Sequence, residues 1–107
     1  MDVKMVGSVH TQRPDREAGT YQMAYTVTTP NGKTGVALYQ HEYDKRTVIG
    51  EQMYASREIA DELREYIGDD SPFVIECFGF PPEEAANADA LEQIRGKADV
   101  LVFEYND

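Results

Sequence analysis

The chain has 107 residues, one cysteine and a formal net charge of −10. A chain of this length forms one domain, residues 1–107, whose core is large enough to fold without disulfides or a structural metal. The single Cys77 excludes an intramolecular disulfide and any CxxC site. Together with an amino terminus too weakly apolar for a signal peptide, it favours a cytoplasmic protein, and no segment approaches the roughly 20 apolar residues of a membrane span.

The negative charge is concentrated in the second half of the chain. Residues 1–50 contain six Lys or Arg against five Asp or Glu, whereas residues 51–107 contain four against fifteen. We expect no direct binding of nucleic acid, because phosphate contacts derive their affinity from clustered Lys and Arg. Two interpretations stay open: an acidic surface that binds a basic partner, and a solvated acidic surface suited to a salt-rich cytoplasm.

The first strand is predicted over residues 3–10, where apolar and polar positions alternate loosely. Gly7 is expected to be a bulge or a position of close backbone approach. A polar loop, residues 11–19, follows this strand.

The next two alternating segments flank Asn31-Gly32 and predict a hairpin. If these two residues form a type I′ turn, Val27 lies opposite Val36. This register gives the hairpin one core face and one face that is half polar and aromatic. The expected core face holds Met23, Tyr25, Val27, Val36 and Leu38, and the other holds Gln22, Ala24, Thr26, Ala37, Tyr39 and His41.

Tyr39, His41 and Tyr43 are candidate contact residues, because aromatic side chains with a polar tip are enriched at protein interfaces. The alternative is that a helix covers this face and makes Tyr39 part of the core. Residues 47–54 are compatible with a further strand, with an extension of the hairpin after a bulge, or with a lead into the next helix. We predict a strand.

The clearest helix is predicted over residues 56–68, with Ser56 capping the first-turn amides and Gly68 ending the helix. Apolar residues spaced three and four apart form one face of this helix, and acids occupy the rest. The apolar positions are Ile59, Ala60, Leu63, Tyr66 and Ile67. The acids are Glu58, Asp61, Glu62 and Glu65, followed by Asp69 and Asp70.

Residues 73–80 form a nearly continuous apolar run that predicts a buried strand, with Cys77 as a small buried side chain. A second helical region begins at Pro81, and residues 99–105 predict the last strand. A strand, a helical crossover and another strand form a unit with parallel strands. The expected fold class is α+β with a mixed sheet: three antiparallel N-terminal strands, then helix-strand-helix-strand with parallel C-terminal strands.

Within the second helical region, Asn87 is expected to start a new helical turn and Gly96 to end the helix. Ala90, Leu91 and Ile94 supply its apolar positions.

This order of an opening strand, a glycine-containing loop, a hairpin, a helix with an early acid and two later strands resembles the ribonuclease H-like fold. The resemblance implies a cluster of Asp and Glu that binds two metal ions. Here the first strand offers Ser8 and His10 where that family has an Asp. Glu51 or Glu58 is the candidate for the helix acid, and Glu76 for the acid on the fourth strand.

Two-metal phosphoryl chemistry requires several oxygen ligands at one place, and the chain supplies at most two of them. His10 and His41 are far apart in sequence, and the chain has no HExxH, Walker loop, GxGxxG or nucleophile elbow. We therefore predict no catalytic residues, no metal and no cofactor.

The leading functional hypothesis is a small acidic interaction or inhibitor protein that binds a basic protein surface, such as that of a nucleic-acid-binding protein. Phage anti-defence proteins of the anti-CRISPR or DNA-mimic kind and immunity proteins for nuclease toxins have this size and charge. The predicted contact residues are Glu58, Asp61, Glu62, Glu65, Asp69, Asp70, Tyr39, His41 and Tyr43. The alternatives are a reduced ribonuclease H-like metal-dependent nuclease and an acidic halophilic housekeeping domain.

Overall fold

The computed structural model describes residues 1–13, 17–45, 47–67 and 87–106. These residues form one antiparallel sheet in the strand order β1-β2-β3-β4-β5, together with two helices. The strands are β1 (Asp2–Arg13), β2 (Ala18–Thr28), β3 (Thr34–Asp44), β4 (Thr47–Ala55) and β5 (Val100–Asn106). The helices are α1 (Arg57–Ile67) and α2 (Ala88–Arg95).

The predicted mixed sheet and ribonuclease H-like order are wrong. Residues 47–55 form a complete fourth antiparallel strand, and β5 pairs antiparallel with it, with Glu51 opposite Tyr105. The sequence of β5 is a nearly continuous apolar run, yet Leu101 and Tyr105 are 42% and 41% exposed. An apolar run does not fix strand direction, because a connection as long as the one between β4 and β5 can return the chain in either sense.

The strand predicted over residues 73–80, including Cys77 and Glu76, lies outside the described residues, as do Gly68 and the helical start at Pro81. The fold assignment therefore rests on the five strands and two helices named above.

The hairpin between β2 and β3 is confirmed, but its register is shifted by one residue. Thr29 accepts a hydrogen bond from the Gly32 amide at 2.9 Å, so Pro30 and Asn31 are the central residues of the turn. Gly32, at φ 81°, occupies the left-handed position that follows. Proline is favoured at the first central position because its ring fixes φ near −65°.

This one-residue shift exchanges the faces of the side chains on β3. Val27 lies opposite Gly35, Tyr25 opposite Ala37 and Met23 opposite Tyr39. Val36 and Leu38 consequently leave the face that they were predicted to share with Met23, Tyr25 and Val27. Tyr39, His41 and Tyr43 lie on that face instead.

The two helices lie on opposite faces of the sheet, since each packs against side chains that alternate along the same strands. The core under α1 contains the largest buried side chains. Its members are Met23, Tyr25, Val27, Ala37, Tyr39, Met53, Ala55, Ile59, Ala60 and Leu63. The core under α2 is smaller and contains Ala24, Leu38, Leu91, Ile94 and Ala98.

The start of each helix is fixed by contacts with the sheet. The Ser56 hydroxyl accepts a hydrogen bond from the Val36 amide at 3.0 Å, instead of the first-turn amide that the sequence had suggested. Asn87 caps α2 as expected, since its side-chain oxygen accepts a hydrogen bond from the Ala90 amide at 3.2 Å. Gly7 follows a bulge in β1, and a Cβ there would meet the Asn87 carbonyl oxygen at 2.5 Å, so α2 packs directly on this residue.

Candidate functional site

One row of the sheet carries a polar or titratable side chain on every strand. Cross-strand partners run from His10 to Tyr21, His41, Glu51 and Tyr105. We call these five residues the polar row. Tyr21, His41 and Glu51 lie two residues along their strands from Met23, Tyr39 and Met53 of the core under α1, so the polar row and α1 share one face of the sheet.

Four rings on β1, β2 and β3 form a contiguous ring cluster: His10, Tyr21, His41 and Tyr43. The rings of His10 and Tyr21 are stacked at 4.0 Å between centroids and 8° between planes. His10 Nε2 and the Tyr43 hydroxyl are 2.7 Å apart. All four side chains are half-buried, so the cluster presents polar-tipped rings to solvent.

Gly19 allows Tyr43 to join the ring cluster. A Cβ at residue 19 would lie 2.7 Å from the Tyr43 hydroxyl oxygen and 2.6 Å from the Thr11 carbonyl oxygen. The ring of Tyr43 therefore crosses β2 at a position that only glycine leaves open, and it reaches His10 on β1. Its place at the end of the predicted polar loop did not indicate this role, which depends on the register.

Tyr39 links the core to the polar row. Its side chain is fully buried, so it belongs to the core and is not accessible to a partner. Burial raises the pKa of the Tyr39 hydroxyl far above its ordinary value, and the charge of Glu51 and a hydrogen bond to it raise this pKa further. A carboxylate only accepts hydrogen bonds, so the Tyr39 hydroxyl donates to Glu51.

The same hydroxyl lies 3.3 Å from His41 Nδ1. Because its one hydrogen is directed to Glu51, the imidazole acts as the donor in this contact. Burial lowers the pKa of His41 below 6.5, so the ring is neutral at pH 7. Neutral His41 with its hydrogen on Nδ1 leaves Nε2 as a hydrogen-bond acceptor.

The acids predicted on the first helix do not all face solvent. Glu58, Asp61 and Glu65 are exposed. Asp61 forms an ion pair with Arg64 at 2.7 Å, and Arg64 also donates to the Leu101 carbonyl oxygen at 2.7 Å. Asp69 and Asp70 lie outside the described residues.

Glu62 is buried and contacts the turn of the β2–β3 hairpin. Its carboxylate accepts hydrogen bonds from the side-chain amide of Asn31 at 3.0 Å and from the Asn31 backbone amide at 3.4 Å. Burial opposes ionisation of Glu62, but hydrogen bonds from Thr29 and Asn31 and the charge of Lys33 hold its pKa below the ordinary value. Glu62 therefore joins α1 to the hairpin and is not available to a partner.

Tyr66, predicted on the apolar face, is exposed.

Other regions in the described part of the chain are weaker candidates for a functional site. No group of three His, Cys, Asp or Glu residues there could hold a metal ion. No described helix is long and apolar enough to cross a bilayer. A surface groove of about 420 Å³ at the start of α1 is lined by Arg57, Glu58, Lys97 and Asp99, whose charges balance.

Comparison of the chain with protein-family models, curated proteins and solved structures gave no match. Functional assignment therefore depends on the two features of this face, the exposed acids of α1 and the polar row.

Sequence patterns did not identify His10, Tyr21 and Tyr105 as parts of a site with His41. These residues are spread over strands that are distant in sequence, and only the register brings them together. The alternation of polar-tipped rings at Tyr39, His41 and Tyr43 was the signal that could be read from sequence.

Proposed function

We propose that this protein is a small non-enzymatic binding protein that docks on a basic protein surface through the exposed carboxylates of α1. The proposal rests on the exposed carboxylates of Glu58 and Glu65. Both are exposed, and neither forms an ion pair within the described residues. The net charge of −10 gives these carboxylates a negative field that attracts a cationic surface from a distance.

Arg64 does little to weaken this surface. Its guanidinium is held by Asp61 and by the Leu101 carbonyl oxygen, which directs it towards β5. Arg57 is the other cation of α1. The outward side of the helix therefore keeps two carboxylates that form no ion pair with any described residue, and in the sequence two further acids, Asp69 and Asp70, follow it.

The partner that suits this surface is a protein whose basic face binds nucleic acid, because carboxylates spaced along a helix present negative charge as phosphates do. A protein of this size that occupies such a face acts as an inhibitor. Phage anti-defence proteins and immunity proteins for nuclease toxins are the classes with this mode of action, and the proposal places the chain among them by size and charge.

The test is affinity capture from the native host with the wild-type chain and two double variants. Glu58→Lys/Glu65→Lys reverses the acids of α1, and Asp2→Lys/Asp89→Lys reverses two exposed acids away from α1 by the same total charge. Glu58 and Asp89 are both in the first turn of a helix, so the two variants lose similar helix-dipole stabilisation.

We expect a basic protein that wild type and the Asp2/Asp89 variant recover at low salt and that the Glu58/Glu65 variant does not. Equal recovery by both variants would show that only overall charge matters, as for an acidic housekeeping protein. Recovery of no basic protein by the wild-type chain would also contradict the proposal.

A further inference from the structure

The polar row has the chemistry of a site for a planar cation. We propose that His41 and Tyr105 of the polar row bind an arginine side chain of the basic partner, beside the buried carboxylate of Glu51 that lies between them and acts through its charge alone. This inference rests on the proposed function and goes further, because it names the residue type that the partner inserts and the place where it lies.

Hydrogen bonding at His41 favours a donor. Its Nδ1 contacts the Tyr39 hydroxyl at 3.3 Å, and no described residue is hydrogen-bonded to Nε2. Nε2 of a neutral imidazole accepts a hydrogen bond, and it therefore suits a donor. A guanidinium carries five N–H donors and no acceptor, which makes arginine the side chain that complements this atom best.

The charge beside His41 favours a cation. Glu51 lies between His41 and Tyr105 in the row, about 5 Å from each neighbouring strand. Its carboxylate is almost fully buried, and it supplies negative potential where the dielectric screening of water is weak. The row itself contains no Lys or Arg.

The neighbouring aromatic rings favour a guanidinium. Tyr105 is 41% exposed, and the half-buried rings of Tyr21 and Tyr43 lie 6.2 and 6.4 Å from the ring of His41. A guanidinium stacks on aromatic faces and gains a cation–π interaction there, whereas an ammonium is more strongly hydrated. Arginine is therefore favoured over lysine.

Nucleic-acid bases also stack on rows of aromatic side chains. A nucleic acid would bring its phosphates against the exposed acids of α1 on the same face of the sheet, and the chain has a net charge of −10. Charge therefore favours arginine over a base as the occupant.

The experiment is a titration of the isotope-labelled protein with N-acetyl-arginine amide at low ionic strength, followed by NMR of ring and backbone resonances. The uncharged isostere N-acetyl-citrulline amide, the lysine analogue and a short oligothymidine are titrated in parallel. We expect the arginine analogue to shift His41 and Tyr105 resonances with a dissociation constant on the order of 10 mM, and the lysine analogue to bind more weakly. Citrulline and oligothymidine should leave these resonances unchanged.

Two matched variants control for general effects of an exposed tyrosine. Tyr105→Leu should weaken binding about fivefold, the size of one exposed cation–π contact. Tyr66→Leu changes an equally exposed tyrosine on α1 and should have no effect. Equal shifts with citrulline, shifts with oligothymidine instead of arginine, or unchanged binding by Tyr105→Leu would overturn the arginine site.

Failure of the arginine site can be distinguished from failure of the proposed function. Partner capture that depends on Glu58 and Glu65, without any shift by the arginine analogue, overturns the arginine site alone. Arginine binding with capture that ignores Glu58 and Glu65 overturns the role of α1 alone.

Discussion

At the scale of single residues, the Tyr39 hydroxyl shows how the core determines the chemistry of the surface beside it. It donates to the buried Glu51 carboxylate and contacts His41 Nδ1, so one buried phenol fixes the orientation and tautomer of a half-buried imidazole. The orientation and tautomer of His41 therefore depend on packing inside the sheet as well as on solvent.

His41 should make folding stability depend on pH. Burial lowers its pKa in the folded state below 6.5, so between the two pKa values the unfolded chain binds more protons. Its contribution to stability is complete above the unfolded pKa of about 6.5 and is lost as the pH falls towards the folded pKa. Among the described residues, the charged and titratable groups around it are Tyr21, Tyr39, Tyr43 and Glu51.

Urea unfolding at about pH 7.5 and about pH 5.5 measures this dependence. We expect the free energy of unfolding of wild type to fall on acidification, and His41→Gln to lose less over the same interval. If His41→Gln shows the full pH dependence of wild type, another group is responsible.

At the scale of secondary-structure elements, α1 is attached to the β2–β3 hairpin through Glu62. Glu62→Gln should lower the free energy of unfolding because Gln cannot provide the charge that Asn31, Thr29 and Lys33 stabilise. Glu65→Gln, an exposed carboxylate on the same helix, is the matched control and should have little effect.

The folded pKa of Glu62 is depressed, so its stabilisation is present above the ordinary pKa of 4.5 and is lost on acidification. Denaturant unfolding of the three proteins at neutral pH and in acid tests this. The difference between wild type and Glu62→Gln should close in acid. Equal stability of Glu62→Gln and Glu65→Gln at neutral pH would mean that the contact with the hairpin is not stabilising.

Most elements could be predicted from the sequence because their signals are local. Alternation located the first three strands, and the 3.6-residue period located α1. Residues 47–54 were compatible with three interpretations, of which the predicted strand is the one that forms. The register could not be obtained in this way. Asn31-Gly32 favours a two-residue turn, but Pro30 is equally suited to begin a longer one, and the choice moves every side chain of β3 to the other face.

The direction of β5 also could not be predicted. Its apolar sequence is equally compatible with a parallel and an antiparallel neighbour, and only pairing with β4 decides between them. This pairing also placed Tyr105 beside Glu51. The polar row was therefore hidden from sequence reasoning, whereas the acids of α1 were visible in the charge distribution.

At the scale of the whole molecule, two features lie on the same face of the sheet: the exposed acids of α1 and the polar row. In the proposed function, the acids of α1 attract the basic partner over long range, and salt should screen this attraction. In the proposed arginine site, the rings of the polar row would act at contact, where packing and hydrogen bonds determine how long a complex lasts. The two features should thus affect the association and dissociation rates, respectively.

The most direct measurement of the central claim is the association rate of the captured basic partner as a function of salt. For wild type and the Asp2→Lys/Asp89→Lys variant, we predict that the rate falls at least about tenfold between about 0.02 M and about 0.2 M salt. Glu58→Lys/Glu65→Lys should associate about tenfold more slowly at low salt, with a weaker dependence on salt. An association rate that is independent of salt, or equal for the two double variants, would contradict a role for α1 in binding.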